Sequence, residues 1–456
     1  MSNTEEGYQL LLVFVLYAFF IHSVWLTMSG FQNVTSWFCL IFAIANCTQY
    51  IFILPAAFSG DPRHEWLLGI GETSTYLEQV IISFAAVWAG FIMSRDYMTR
   101  LVNNMLIPAL KLGESQLSKY AFTFSIIGAA ISCVAAIFGL HGYFIRTELL
   151  DQATSFRTAL SVLTNTALLL ALVTFSSTIV TSGRLALQHY ILLIIWIIAG
   201  LLSGFKNLVF LPSVLLLVAA WFHGKIRVNY YLIFIFSMLL AYSVVEPMRE
   251  ISNASSFRMD AQEALLSATS EEYKDLRSES RSKVFDKLVN RLDSSSIAVQ
   301  TLVAYNSGAL AYYQSALREQ YYLLPQLTFV PGILWTEKPP TDMGRQLSIE
   351  LHDLSTNSLT AAAPVVAYIT GGSFFVILSG FLSGTALAVG GALLHKHRSE
   401  PLRYAPVLLL GVFLSVGDTY FSSFLINLIR TIAAIIFFYW IARSFNLLES
   451  RGQATL

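Results

Sequence analysis

Glu271-Glu272-Tyr273-Lys274-Asp275-Leu276-Arg277-Ser278-Glu279-Ser280-Arg281 is a stretch too densely charged to enter hydrocarbon. It lies within a longer segment, Pro247 to Thr370, that holds no apolar run long enough to cross a bilayer. On both sides of that segment the chain is almost nothing but such runs. A spanning helix needs about 20 mainly apolar residues. The contrast predicts an all-α polytopic membrane protein interrupted by one large polar loop. Three regions follow: a transmembrane bundle over 1–246, the loop over 247–370, and a second bundle over 371–456.

Composition agrees. The 456 residues are 55% hydrophobic and 12% charged, with a mean hydropathy of +0.61. A soluble domain carries about 25% charged residues. A β-barrel would alternate apolar and polar residues along each strand, and these runs do not alternate. The net charge of +0 removes the electrostatic basis for binding nucleic acid. Cys39, Cys47 and Cys133 fall inside apolar runs, without disulfide or metal spacing. The acidic start, Met1 to Tyr8, lacks the basic region of a cleavable signal peptide.

The runs give about eleven expected spans, at roughly 8–28, 36–58, 75–95, 121–144, 159–182, 187–203, 207–222, 229–247, 371–394, 404–421 and 423–445. The sixth and seventh are short and are separated by Ser203-Gly204-Phe205-Lys206-Asn207. They form either a tight hairpin or one broken element. Lys and Arg crowd alternate connections: Arg95, Arg100, Lys111 and Lys119, then Arg184, then Lys225 and Arg227, then Lys396, Arg398 and Arg403, then Arg443 and Arg451. Positive connections face the cytoplasm. The 247–370 loop is therefore expected outside, with the N-terminus outside and the C-terminus inside.

Within the loop, apolar residues recur every three to four positions over Lys283–Leu292, the period of an amphipathic helix. Farther on, Leu327 to Pro340 carries prolines and Trp335 and cannot form one continuous helix. The densest chemistry of the chain follows: Glu337, Lys338, Arg345, Glu350, His352 and Asp353. Carboxylates or a histidine beside fixed cations suit acyl, glycosyl or phosphoryl transfer. Each also has a plain reading: Glu337 and Lys338 as a surface pair, Arg345 as a helix cap, His352 as an ordinary exposed side chain. Lys206 and Arg249, near the outer ends of spans, either snorkel to the headgroups or hold a lipid phosphate. Asp418 and Arg430, near the ends of the last two spans, either pair or act. No metal-ligand spacing, Walker loop or dinucleotide fingerprint occurs, so no cofactor is expected.

Val330-Pro331-Gly332-Ile333-Leu334-Trp335-Thr336-Glu337-Lys338-Pro339, followed by Gly344, resembles the Pro-Arg-x-x-Trp-Pro-x-Lys-Pro segment of Wzy-type oligosaccharide repeat unit polymerases, which belong with the O-antigen polymerase and ligase group. Asn290-Arg291-Leu292-Asp293 is similar to the Arg-Leu-Asp found upstream in related membrane proteins. Ser203-Gly204-Phe205-Lys206 is similar to a Ser-Gly-x-Arg at the outer end of a middle span. Gly371-Gly372-Ser373-Phe374-Phe375 with Gly380 and Gly384 resembles the small-residue span that reopens the membrane domain in that family. Gly332 stands where the family has Arg, Thr336 where it has Pro, and Lys206 where it has Arg.

The resemblance implies a GT-C-like, metal-independent glycosyltransferase in a bacterial cytoplasmic (inner) membrane. Its donor would be an undecaprenyl-diphosphate-linked oligosaccharide and its product a surface polysaccharide. Lys206, Arg249, Arg291, Lys338 and Arg345 would bind the diphosphate or glycan. His352, Glu337, Asp353 or Glu350 would take the proton of the attacking hydroxyl. The implied partners are the lipid-linked substrate and membrane lipids, and a chain-length regulator is a further candidate. The competing readings are a ligase of the same group, a non-enzymatic transporter or flippase of lipid-linked sugar, and a scaffold.

Overall fold

A computed structural model describes residues 2–29, 71–104, 114–140, 142–143, 154–254, 295–323, 343–352 and 361–396, with residues 42, 46, 263–264, 266–267, 270, 274–275, 278 and 359. Every regular element among the described residues is helical. In chain order they are α1 (Ser2–Ser29), α2 (Gly71–Asn104), α3 (Glu114–Ile137), α4 (Thr154–Ser182), α5 (Leu187–Ser203), α6 (Lys206–Phe222) and α7 (Val228–Leu240). A π-helical turn over Ala241–Val245 leads into α8 (Glu246–Ala254). Then come α9 (Ser295–Asn306), α10 (Ala311–Tyr322), α11 (Met343–His352) and α12 (Ala363–Lys396).

Among the described residues six stretches are long and apolar enough to cross a membrane: Glu5–Trp25, Gly71–Asn104, Lys119–Ile137, Leu163–Ser182, Val228–Ser252 and Ala363–Lys396. The expected spans 36–58, 404–421 and 423–445 lie outside the described residues, apart from Phe42 and Asn46. The others coincide with helices, but their edges move. The eighth runs on past Pro247 to Ser252. Pro247 has no N–H to give an α-helical bond, and the π turn just before it carries the helix through. The ninth begins at Ala363 and is broken at Gly371 and Gly372, where Gly372 takes φ +70°.

The sixth and seventh expected spans are the apolar helices α5 and α6, of 17 residues each. At 1.5 Å per residue each is about 26 Å long, short of a hydrocarbon core of about 30 Å. They form a hairpin, so the broken-element alternative falls. Gly204 ends α5 in the left-handed conformation (φ 66°). A Cβ on Gly200 would lie 2.5 Å from the Val209 backbone nitrogen, so the two helices nearly touch. A hairpin returns the chain to the side it left, whether or not it crosses fully.

The helices divide into two compact units. The first holds α1, α2 and α9–α12; the second holds α3–α8. The polar loop expected at 247–370 is thus shared between them: its beginning belongs to the second unit and α9–α11 to the first.

In the first unit α1, α2 and α12 run parallel. Along α1 and α2 the partners rise together: Tyr8 donates to Glu78 at 2.9 Å, Phe19 stacks on Phe84 at 4.5 Å, and His22 meets Trp88 at 5.8 Å. Along α2 and α12, Gly380 packs on Ala86, Gly384 on Val87, Ser94 bonds Thr385 at 2.9 Å, and Lys396 reaches Val102. Small residues permit such close backbone approach between membrane helices. Phe42 and Asn46 run the other way, with Phe42 on Phe84 and Asn46 accepting from Tyr76 at 3.1 Å. The polar helices gather at the N-terminal ends of α2 and α12. Asn306 of α9 donates to Glu72 at 3.0 Å. From α10, Gln314 and Arg318 donate to the carbonyls of Ile369 and Thr370, each at 3.0 Å. Those carbonyls end the first part of α12, and the α10 side chains satisfy them where the Gly371–Gly372 break interrupts the helix.

In the second unit neighbours alternate. Ser132 of α3 bonds Thr164 of α4 at 3.0 Å while Gly128 meets Ala167, an antiparallel order. The α4–α5 and α6–α7 turns share one end, where Thr178 bonds His189 at 2.8 Å and Asn229 donates to Tyr190 at 3.0 Å. Arg184, Lys225 and Arg227 belong to that end. Lys225 also caps α4, donating to Ile179 and Val180 at 3.2 and 3.1 Å. Lys396 does the same for α2 at Val102 and Asn103. A cation on the last carbonyls of a helix also meets the negative end of its dipole.

Candidate functional site

At the opposite end of the second unit three chain segments converge. The first is the α5–α6 turn. Ser203 donates its hydroxyl to the Gly200 carbonyl at 2.9 Å and accepts from the Phe205 N–H at 3.3 Å. Gly204 supplies the left-handed residue that a side chain would resist. The turn delivers Lys206 as the first residue of α6. Lys206 is buried, and its ammonium pairs with Glu246, whose side chain is 16% exposed. The ring of Tyr242 lies 4.8 Å from the same ammonium.

The second segment is the π turn and α8. Tyr242 lies within the turn, and Glu246 is the first residue after it. Arg249 follows three residues later, on the same face of α8 as Glu246. The third segment is Gly142-Tyr143. The Tyr143 N–H donates to the Ser203 carbonyl at 2.7 Å. Gly142 has φ +111°, and a Cβ there would lie 2.1 Å from that same oxygen. The Arg249 guanidinium sits 4.0 Å from the Tyr143 ring centre. Cation–π contacts of this kind stabilise by about 0.5–2 kcal/mol, more when desolvated. Met248 and Ala264 pack against Tyr143 and Val244, fixing the far side of α8.

The structure thus brings together Lys206 and Arg249 among the expected binding residues. It joins to them Glu246, Tyr242 and Tyr143, which the expected set did not include. An ionisable residue closing an apolar run was a signal for Glu246; nothing in the sequence pointed to its partner or to the π turn.

The other candidates lie in the first unit or outside the described residues. Glu350 accepts from the Tyr313 backbone N–H at 3.2 Å and from Gln346 at 2.7 Å. Tyr313 is in the first turn of α10, so Glu350 satisfies a helix-start donor that has no partner within the helix. His352 is the last residue of α11 and is exposed. Arg345 lies in the first turn of α11. Arg291, Glu337, Lys338, Asp353, Asp418 and Arg430 lie outside the described residues. Among the described residues no group of three or more His, Cys, Asp or Glu is placed to hold a metal ion.

Chemically, the three-segment junction is suited to an oxyanion. Arg249 is half-buried on a neutral ring, Lys206 is one ion pair away, and both stand at the end of the unit opposite Arg184, Lys225 and Arg227. Residues 81–391 match the family described as Domain of unknown function (DUF8712). The chain belongs to that family. The match takes in both the Lys206–Glu246–Arg249 junction and α11. No curated protein and no solved structure matches the chain.

Proposed function

We propose that this DUF8712 chain is a multi-pass enzyme of a bacterial cytoplasmic membrane that polymerises undecaprenyl-diphosphate-linked oligosaccharide repeat units. The observation that carries the reading is the junction of Lys206 and Arg249 at the end of its unit remote from the basic turns. With those turns cytoplasmic, the junction faces outward, where a lipid-linked diphosphate presents its charge. The same rule, applied to the first unit alone, puts Arg95, Arg100 and Lys396 inside and α9–α11 outside. The parallel course of α1, α2 and α12 supports it, because expected spans one, three and nine must all run inward. The Wzy-like motifs supply the reaction class.

In that reaction the bond from the anomeric carbon to the diphosphate oxygen breaks, and undecaprenyl diphosphate leaves with the electron pair. A hydroxyl of the acceptor repeat unit attacks the opposite face, forms the new C–O bond and inverts the centre. Its proton passes to a carboxylate or histidine base. Arg249 and Lys206 offset charge as it develops on the leaving group. Each charged hydrogen bond of that kind is worth about 1.5–3 kcal/mol.

A second reading, movement of lipid-linked sugar without chemistry, draws support from the Gly371–Gly372 break, since transporters build sites from discontinuous helices. One assay separates the two. Purified protein is given lipid-diphosphate oligosaccharide and the glycan is resolved by length. Ladders with released undecaprenyl diphosphate are expected. Intact donor after prolonged incubation overturns the enzyme reading.

A further inference from the structure

We propose that Glu246 is a resident counter-ion that an incoming phosphate oxyanion must displace, so that the junction selects a diphosphate over a single phosphate. The proposal deepens the reading of Lys206 and Arg249 as an anion site and rests on it.

Four observations converge. Lys206 is 8% exposed and Glu246 16% exposed. A buried pair of this kind is a poor stabilising device, because desolvating both ions offsets their attraction. Lys206 is also badly placed for the helix it begins. The start of a helix carries partial positive charge and unpaired N–H groups, and the α6 N-cap, Phe205, has no side chain to cap them. That end favours an anion, and Glu246 is the anion that approaches it through Lys206.

The π turn is what aims Glu246. A π turn holds one residue more than an α-helical turn, and without it Glu246 would point about 100° away around the axis. Such turns concentrate at functional sites. Finally, Arg249, one turn on, is seated on the Tyr143 ring, 4.0 Å from its centre, and remains half-exposed. One cation is open to an arriving ligand, and the other is held in reserve by a carboxylate. A single phosphate that engages one cation would gain little over Glu246. A diphosphate can bridge Arg249 and Lys206 together. The shared chemistry is a phosphate oxyanion at the membrane surface, from a lipid diphosphate or from an anionic phospholipid headgroup.

The test uses the full chain in nanodiscs of phosphatidylcholine, titrated calorimetrically with inorganic pyrophosphate and with orthophosphate. Wild type is expected to prefer pyrophosphate. Glu246→Gln is expected to bind pyrophosphate about tenfold more tightly and orthophosphate more tightly still, narrowing the preference; tenfold corresponds to about 1.4 kcal/mol. Glu246→Asp, which keeps the charge but shortens the side chain, is expected to gain about two- to threefold, and it serves if the glutamine variant does not fold. Unchanged or weakened pyrophosphate binding in a folded variant overturns the proposal. Repeating wild type in discs with phosphatidylglycerol identifies the source: competition assigns the site to a phospholipid headgroup, and unaltered binding assigns it to the diphosphate. No step requires catalysis. A ladder-forming enzyme whose Glu246 variants gain no affinity loses only this inference. A protein without transferase activity whose variants gain affinity loses only the enzyme reading.

Discussion

Gly384 of α12 lies so close to Val87 of α2 that a Cβ would sit 2.0 Å from the Val87 carbonyl oxygen. With Gly380 on Ala86 and Gly90 on Phe381, this contact fixes the parallel register that puts α9–α11 at one end of the first unit. Gly384→Leu should destabilise the protein by about 1–3 kcal/mol, the usual cost of overpacking. Gly391 of the same helix has open space around it. Gly391→Ala should be neutral or stabilising, because alanine favours the helix by up to about 1 kcal/mol. Thermal unfolding in detergent measures both; equal behaviour of the two variants would remove the packing argument.

Lys206→Met removes the cation paired with half-buried Glu246. Breaking a buried pair by removing one partner costs about 3–5 kcal/mol, so the single variant should unfold at clearly lower temperature. Lys206→Met with Glu246→Leu should recover most of that loss, since an apolar pair needs no compensation. Lys206→Arg keeps the charge and should be tolerated. A double variant no more stable than the single one would show that the pair is not the origin of the loss.

Arg249→Ala should lower glycan polymerisation roughly tenfold to a hundredfold, the rate equivalent of about 1.5–3 kcal/mol. Because Arg249 is half-exposed on Tyr143, its removal should cost no more stability than the about 0.5–2 kcal/mol of that cation–π contact. Ladder formation at matched protein level is the readout, and full activity would exclude Arg249 from the proposed diphosphate site.

His352 and Glu350 should separate by phenotype. His352→Ala removes an exposed side chain, so stability should hold while the rate falls by about 10²–10⁴ if it is the base. Glu350→Gln weakens the bond to the Tyr313 N–H and should lower stability by about 1 kcal/mol. Wild-type ladders from His352→Ala would end its assignment.

Membrane orientation is open to direct labelling. Ser307 follows α9, and Ser182 ends α4 beside Arg184; both are exposed. Ser307→Cys should react with an impermeant thiol reagent on spheroplasts, and Ser182→Cys only after lysis. Wild type, with Cys39, Cys47 and Cys133, supplies the blank. The reverse pattern would invert the topology and move the Lys206–Arg249 junction inside.

What the sequence by itself determined was the helical class and the place of most spans. A run of apolar residues excludes other solutions in lipid, since each backbone group must be satisfied within the segment. The run lengths that give α2, α4 and α12 are properties of consecutive residues. The Ser203-Gly204 turn was also legible, as a short polar break between two apolar runs. Its hairpin geometry was not, because only the contact of Gly200 with Val209 distinguishes a reversal from a kink. Pro247 was misleading as a span end, since a π turn has no composition of its own. The Lys206–Glu246 pair joins residues 40 positions apart, and Arg249 finds Tyr143 from still farther along the chain. Charges identify themselves in a sequence, but their partners depend on which helix ends meet. That is decided by packing: by glycines that let α2 and α12 touch, and by one extra residue in a turn that points Glu246 at a lysine.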